Sequence, residues 1–266
     1  MIGIVGYGNM GRALLGGLLS NYRRERVLVY DKDRSKISKL KKDSLLRKAK
    51  SLEEVADKSS TIIIAVKPQN IREVLEGIRE FYCNQLIISI AAGITTSFIE
   101  KAIGKKPKVV RVMPNLSAEV KRSVTGISKG RYASLVDLKK AERIFKSIGS
   151  CLILKEKYIN PLTAISGSGP GYIFYFLYCL EDSAVSLGFS KREARFLLFN
   201  TFKGAGELIS EKDDFLELVK KVASPRGTTE EALLYFKKKN FKRIVKEAIE
   251  KANKRAEELS KPCTTA

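Results

Sequence analysis

Histidine is absent from all 266 residues. With it go the imidazole nitrogens that most often hold zinc, so no metal site is expected. Cysteine is scarce: Cys83, Cys151, Cys179 and Cys263 lie far apart, with no CxxC pair. They read as isolated thiols of a reducing cytoplasm. Long apolar runs are missing, and the longest, at 172–180, is far too short to span a bilayer. The first residues carry neither a basic leader nor a cleavage site, so a cytoplasmic protein without a signal peptide is expected. Internal repeats and low-complexity tracts are not found. Acidic residues are outnumbered, 29 against 50 Lys and Arg, for a net charge of +21. Such a balance invites a nucleic-acid partner. Yet the basic residues are scattered, many beside acids as in Lys246-Glu247 and Glu250-Lys251. A solvated cationic surface that attracts anionic cofactors is the expectation, with neither nucleic acid nor membrane as a partner.

What is present is 44% hydrophobic and 30% charged residues, the balance of a globular protein of one large or two ordinary domains. An apolar start at 1–5 leads into Gly6-Tyr7-Gly8-Asn9-Met10-Gly11, and 12–19 continue with helical spacing. Strand, glycine turn and helix in that order form a dinucleotide-binding fingerprint. Gly6 permits the tight turn, Gly8 lets the backbone approach a pyrophosphate, and Gly11 lets helix and strand pack closely. The helix N-terminus adds N–H donors and a positive dipole end. A second strand at 27–30 ends at Asp31, twenty residues after Gly11, where a carboxylate reaches a ribose hydroxyl.

Further strands are expected at 61–66, 85–90, 108–113, 124–128 and 150–154. Their most apolar runs lack polar alternation, as in strands covered on both faces. Helix or helix plus turn is expected at 35–48, and helices at 51–58, 71–81 and 96–103. The alternation implies an α/β fold with an N-terminal Rossmann-like, doubly wound, mostly parallel sheet. Beyond Tyr158 the β-branched runs vanish, and 172–188, 191–210, 213–222, 228–236 and 241–259 read as helices. Ser190 and Glu193 form a capping-box pattern. Residues 1–157 are therefore expected to bind the dinucleotide, and 158–266 to form an all-α domain for substrate and dimerisation. The segment 172–180 is apolar on nearly every face, which a small helical domain cannot bury alone, so an intertwined homodimer is expected.

Ligands of an open α/β sheet bind outside the carboxyl ends of its strands. Besides the glycine turn, the exits there are Ala65-Val66-Lys67-Pro68, Ala91-Ala92-Gly93 and Met113-Pro114-Asn115. Lys67 offers a cation for a phosphate or a substrate carboxylate. In the helical half, Ser166-Gly167-Ser168-Gly169-Pro170-Gly171 reads chiefly as a cap that lets helices pack closely. Ala223-Ser224-Pro225-Arg226-Gly227-Thr228-Thr229 gathers hydroxyls and free N–H groups at a helix start, suited to a carboxylate. Plain N-capping by Thr228 or Thr229 is the alternative.

In order and spacing, these segments together with Ser89-Ile90 and Arg111-Val112 resemble the pyrroline-5-carboxylate reductase family over essentially the whole chain. The segments from Ser166 and from Ala223 are the most specific parts. The resemblance implies NAD(P)H-dependent reduction of the cyclic imine 1-pyrroline-5-carboxylate to L-proline, the last step of proline synthesis, by an interlocked dimer often assembled further. It implies a cofactor site of Gly6, Tyr7, Gly8, Asn9, Met10, Gly11, Asp31, Lys32, Ala65, Val66, Lys67, Pro68, Ala91, Ala92, Gly93 and Asn115. It implies a substrate site of Lys67, Ser224, Gly227, Thr228 and Thr229. The chain departs from the family at Leu116-Ser117, usually Thr-Pro, and at Arg226, usually Gly.

The cofactor supplies the hydride, which leaves orientation and a proton for the ring nitrogen to the protein. Without histidine, that proton comes from a hydroxyl, water or solvent. The resemblance assigns the catalytic positions to Thr229, beside the ring nitrogen, and Ser224, on the carboxylate. Asp31 favours NAD by repelling a 2′-phosphate, while Lys32 and Arg34 attract one. NADPH is expected, with substantial NADH use. The nearest rival, a β-hydroxyacid dehydrogenase, places a Lys shortly after its second glycine motif, where 172–177 are apolar and aromatic here. A non-catalytic nucleotide sensor is the rival from another class.

Overall fold

Strands whose β-branched residues follow one another without polar interruption need cover on both faces, and the fold supplies it. The computed structural model describes residues 1–22, 25–40 and 43–260; Cys263 lies outside them. The strands are β1 (Ile2–Val5), β2 (Val27–Tyr30), β3 (Leu46–Lys48), β4 (Thr61–Ile64), β5 (Leu86–Ser89), β6 (Lys108–Met113), β7 (Ser123–Lys129) and β8 (Gly149–Ile153). They form one sheet in the order β3-β2-β1-β4-β5-β6-β7-β8. Neighbours pair in parallel except β6 and β7, which run antiparallel with Val112 opposite Ile127. The strand order reverses at β1, where Ile4 lies opposite Val29 of β2 and Ile63 of β4. A crevice opens outside the carboxyl ends of the strands at such a switch point.

Alternate residues of each strand enter separate cores. Ile4, Val29, Ile63, Ile88 and Val110 face one, while Leu28, Ile62, Ile64, Ile87 and Val109 face the other. The first is covered by α1 (Asn9–Asn21) through Leu14, Leu15 and Leu18. The second is covered by α3 (Leu52–Lys58), α4 (Ile71–Arg79) and α5 (Thr96–Ile103) through Val55, Leu75, Ile78 and Ile99. Each buried Ile or Leu is worth about 1.5–3 kcal/mol, against about 0.2–1 kcal/mol for an exposed ion pair. The two cores hold the sheet.

Two local expectations change. Among its described residues, the stretch 35–48 holds α2 (Arg34–Ser38) and then the edge strand β3 rather than a longer helix. Lys and Arg are good helix formers, but pairing of Leu46 with Val27 wins, and the Arg47 and Lys48 side chains suit an exposed sheet edge. A helix with no counterpart among the expected elements, α6 (Leu135–Phe145), joins β7 to β8. A capping box of Ser134 and Asp137 starts it, and Leu138, Ala141, Ile144 and Phe145 bury its inner face.

By packing, the chain divides into Met1–Pro170 with the segment from Ala252, and Gly171–Lys251. The composition change near 157 falls earlier, because α7 (Ile159–Leu162) and a π-helical turn (Thr163–Gly167) still pack on the sheet. Ile159 and Ala164 are buried there, and glycine at 126 in β7 leaves room for Leu162. The second unit is helical, drawn from α8 (Gly169–Ser186), α9 (Lys191–Glu207), α10 (Phe215–Val222), α11 (Thr228–Lys238) and α12 (Phe241–Ser260). Its Ser190–Glu193 capping box forms as expected. Only Ala194 is buried in this unit, and Phe174, Tyr175 and Tyr178 on α8 stay exposed in a single chain. Apolar surface on that scale marks an association face. No helix among the described residues is long and apolar enough to cross a membrane.

Candidate active site

The glycine turn between β1 and α1 separates packing needs from ligand needs. Gly6 has φ +103°, and a Cβ there would lie 2.6 Å from the Ala65 carbonyl oxygen. A Cβ on Gly11 would collide with the Gly6 carbonyl oxygen. Protein contacts alone therefore demand glycine at 6 and 11. At Gly8 a Cβ would meet nothing within 4 Å, so protein packing does not demand glycine there and the backbone stays open to a close approach by a ligand. Gly8 also begins α1 without a side-chain cap, which leaves the first N–H groups of the helix open to an anion. The cradle fits a dinucleotide pyrophosphate.

The exits of β1, β2, β4, β5 and β6 enclose a cavity of about 780 Å³. Gly6, Gly8, Asn9, Met10, Asp31, Lys32, Ala65, Val66, Lys67, Pro68, Ala91, Ala92 and Asn115 line it. Three expected cofactor residues do not. Tyr7 turns its N–H to Asp31 Oδ2 at 2.7 Å and packs its ring against the first core, where burial pushes the phenol above its usual range. Gly11 sits behind the turn. Gly93, at φ +77°, gives room to the end of α12: a Cβ would lie 2.5 Å from the Leu259 carbonyl oxygen. Arg34, expected to attract a phosphate, is absent from the lining and donates to the Ala49 carbonyl oxygen.

Charged residues that the motif reading passes over also line the cavity: Asp33, Lys36 and Glu73. Lys36 lies 3.2 Å from Asp31 Oδ1, and Lys32 lies 2.6 Å from Glu73 Oε1. Lys36 lies in a polar stretch without apolar period; the one available signal is its place within α2, the short helix that follows β2. Lys67 forms no ion pair among the described residues, which leaves it available to an incoming anion.

Asn115 reaches the cavity from β6, yet its amide serves the protein. Nδ2 donates to the Ser166 carbonyl oxygen at 3.1 Å and to Ser166 Oγ at 3.2 Å, and Oδ1 accepts from the Val124 N–H at 3.4 Å. It ties the strand exit to the π-helical turn, whose Gly167 also lines the cavity. Behind it, the nearly buried Arg111 bonds Asn160 Oδ1 at 2.9 Å and Glu156 Oε1 at 3.4 Å. Burial lowers the guanidinium pKa, and Glu156 opposes the shift. Glu156 in turn accepts the N–H and hydroxyl of Thr96 at 2.8 and 2.6 Å.

In the second unit, the loop before α11 holds its hydroxyls free. Gly227 is the N-cap and makes no side-chain cap bond. Among the described residues neither the Thr228 nor the Thr229 hydroxyl forms a hydrogen bond, and Thr229 is half-buried. The plain capping alternative does not apply. Arg226 has φ +58°, a left-handed conformation that favours glycine. Its N–H bonds Glu230 Oε2 at 2.5 Å.

A doubly wound sheet with an open glycine turn at its switch point defines the class of dinucleotide-binding α/β proteins. Residues 1–93 match the family described as NADP oxidoreductase, coenzyme F420-dependent, and residues 156–259 match pyrroline-5-carboxylate reductase dimerisation. Pyrroline-5-carboxylate reductase 2 of Bacillus subtilis (strain 168) is 33% identical over 97% of this chain and 94% of its own length. Pyrroline-5-carboxylate reductase of Aquifex aeolicus (strain VF5) is 34% identical over 97% of both. Among solved structures, a pyrroline-5-carboxylate reductase from Coxiella burnetii gives a TM-score of 0.90 at 32% identity over 98% of each chain. Plasmodium falciparum pyrroline carboxylate reductase with NADP bound gives 0.84 at 31% identity over 97% of each. The chain belongs to the pyrroline-5-carboxylate reductase family.

Proposed function

We propose that the chain reduces 1-pyrroline-5-carboxylate to L-proline with NADPH, the strand-exit cavity holding the cofactor and the 223–229 loop serving the substrate. The observation that carries the cofactor half is Gly8, a glycine that protein packing does not require. When bound, the reduced nicotinamide supplies a hydride to the C=N carbon; position, charge and a proton fall to the chain. Gly8 and the open N–H groups of α1 hold the pyrophosphate. Lys67 meets a phosphate or the substrate carboxylate, and its lack of an ion pair among the described residues supports either role. Ser224 and the N–H groups of Thr228 and Thr229 hold the carboxylate at the start of α11. The Thr229 hydroxyl donates to the ring nitrogen, which matters because an iminium accepts hydride far better than a neutral imine.

Mixing purified protein with 1-pyrroline-5-carboxylate and NADPH, and following the loss of reduced cofactor, tests the reading. Saturable turnover is expected; cofactor binding without turnover of the imine overturns it. Thr229→Val keeps the shape and removes the donor, so kcat falls about 10²-fold, the low end for a general acid. A variant with near-wild-type kcat removes Thr229 from the proton step. The reading also places the enzyme in the cytoplasm, with a second copy of itself as its macromolecular partner and no nucleic acid. Failure to retain the protein on immobilised duplex DNA at physiological salt is the check on that last point.

A further inference from the structure

Two ion pairs stand on the cavity wall beside the end of β2, and they differ in kind. The Asp31 side chain is 9% exposed. Its Oδ2 accepts the Tyr7 N–H at 2.7 Å, while its Oδ1 accepts the Asp33 N–H at 2.9 Å and the Lys36 ammonium at 3.2 Å. Three of the roughly four acceptor positions of a carboxylate are thus filled, and its charge is met. Lys32 instead donates to Glu73 at 2.6 Å, in a pair whose side chains are 79% and 59% exposed. That pair sets a second carboxylate at the cavity edge, next to the cation that the sequence favours for phosphate.

An acid at the end of β2 ordinarily serves a ribose hydroxyl and repels a 2′-phosphate. We propose that Lys36, rather than Lys32, is the residue that admits the 2′-phosphate of NADPH. Its ammonium cancels the Asp31 charge and keeps two N–H donors for the phosphate. Asp31 retains one acceptor position for a ribose hydroxyl, which accounts for use of NADH as well. Glu73 works against the phosphate, since it occupies Lys32 and adds negative charge beside it. The inference rests on the NADPH-reductase reading, but a binding measurement tests it without turnover.

Calorimetry of the full chain with adenosine 2′,5′-bisphosphate and with AMP reads the 2′-phosphate contribution directly. Lys36→Met is expected to weaken the bisphosphate about tenfold and AMP less than about twofold, the loss of one charge-assisted contact. Lys32→Met costs less than Lys36→Met, Glu73→Gln tightens the bisphosphate, and Lys36→Arg keeps the preference. The ratio of kcat/KM for NADPH over NADH moves the same way in each variant. Unchanged bisphosphate affinity in Lys36→Met overturns the proposal. So does equal weakening of both ligands, which would mean that Lys36 only braces Asp31. The expected binding pattern with no imine turnover by the wild type would leave this inference standing and sink the reductase reading alone.

Discussion

Gly8 and Gly11 lie three residues apart in one turn, and their substitutions are expected to fail differently. Gly11→Ala drives a methyl into the Gly6 carbonyl and costs about 1–3 kcal/mol of stability, the range for overpacking. Gly8→Ala meets no protein atom within 4 Å; it loses only the preference for glycine at the N-cap of α1, less than about 1 kcal/mol, while cofactor affinity falls. Denaturant unfolding and cofactor titration on the two variants separate the roles, and equal losses of stability would refute the division. Arg226 offers the opposite test. A non-glycine residue at φ +58° carries about 1 kcal/mol of backbone strain, so Arg226→Gly should raise stability by about that amount. An unchanged or lowered unfolding midpoint would show that the arginine side chain compensates through contacts of its own.

Among the elements, the exits of the strands do the positioning, and they are braced from behind. Glu156, in the segment before α7, links Thr96 at the start of α5 to Arg111 on β6. Glu156→Ala leaves a nearly buried guanidinium with Asn160 as its remaining side-chain partner, at a cost of about 1.5–3 kcal/mol. Thermal unfolding checks this, and a change within the error of the measurement would show the pair to be idle. Elements with a strong local pattern were legible: β2, β6 and α5 fall on the expected residues because β-branched runs and a capped apolar period leave little choice. β3 was not, since three half-polar residues become a strand only when β2 lies alongside. α6 was missed although its Ser134 and Asp137 form a capping pair, because a short amphipathic stretch between two strands carries no strong run. Asn115 lines the cavity, as its place after Met113-Pro114 leads one to expect; its bonds to Ser166, by contrast, depend on a segment more than fifty residues away.

For the assembled molecule, α8 is the decisive surface. It buries no residue in a single chain, yet carries Phe174, Tyr175 and Tyr178 at 57%, 69% and 61% exposure. Water contact on that area is what self-association removes. Replacing Phe174 and Tyr175 by Asp should shift the sedimentation of the protein from a dimer or larger species toward the monomer, with loss of turnover; unchanged sedimentation would exclude this face. The class of fold, the glycine turn, the helical second half and the need for a partner copy all follow from local patterns, because apolar period and turn chemistry act over a few residues. Which charges meet does not follow from them. Lys36 with Asp31, Lys32 with Glu73, and Lys67 without an ion pair among the described residues result from bringing distant strand ends to one crevice, and an ion pair depends on distance in space, which a linear order of residues does not contain.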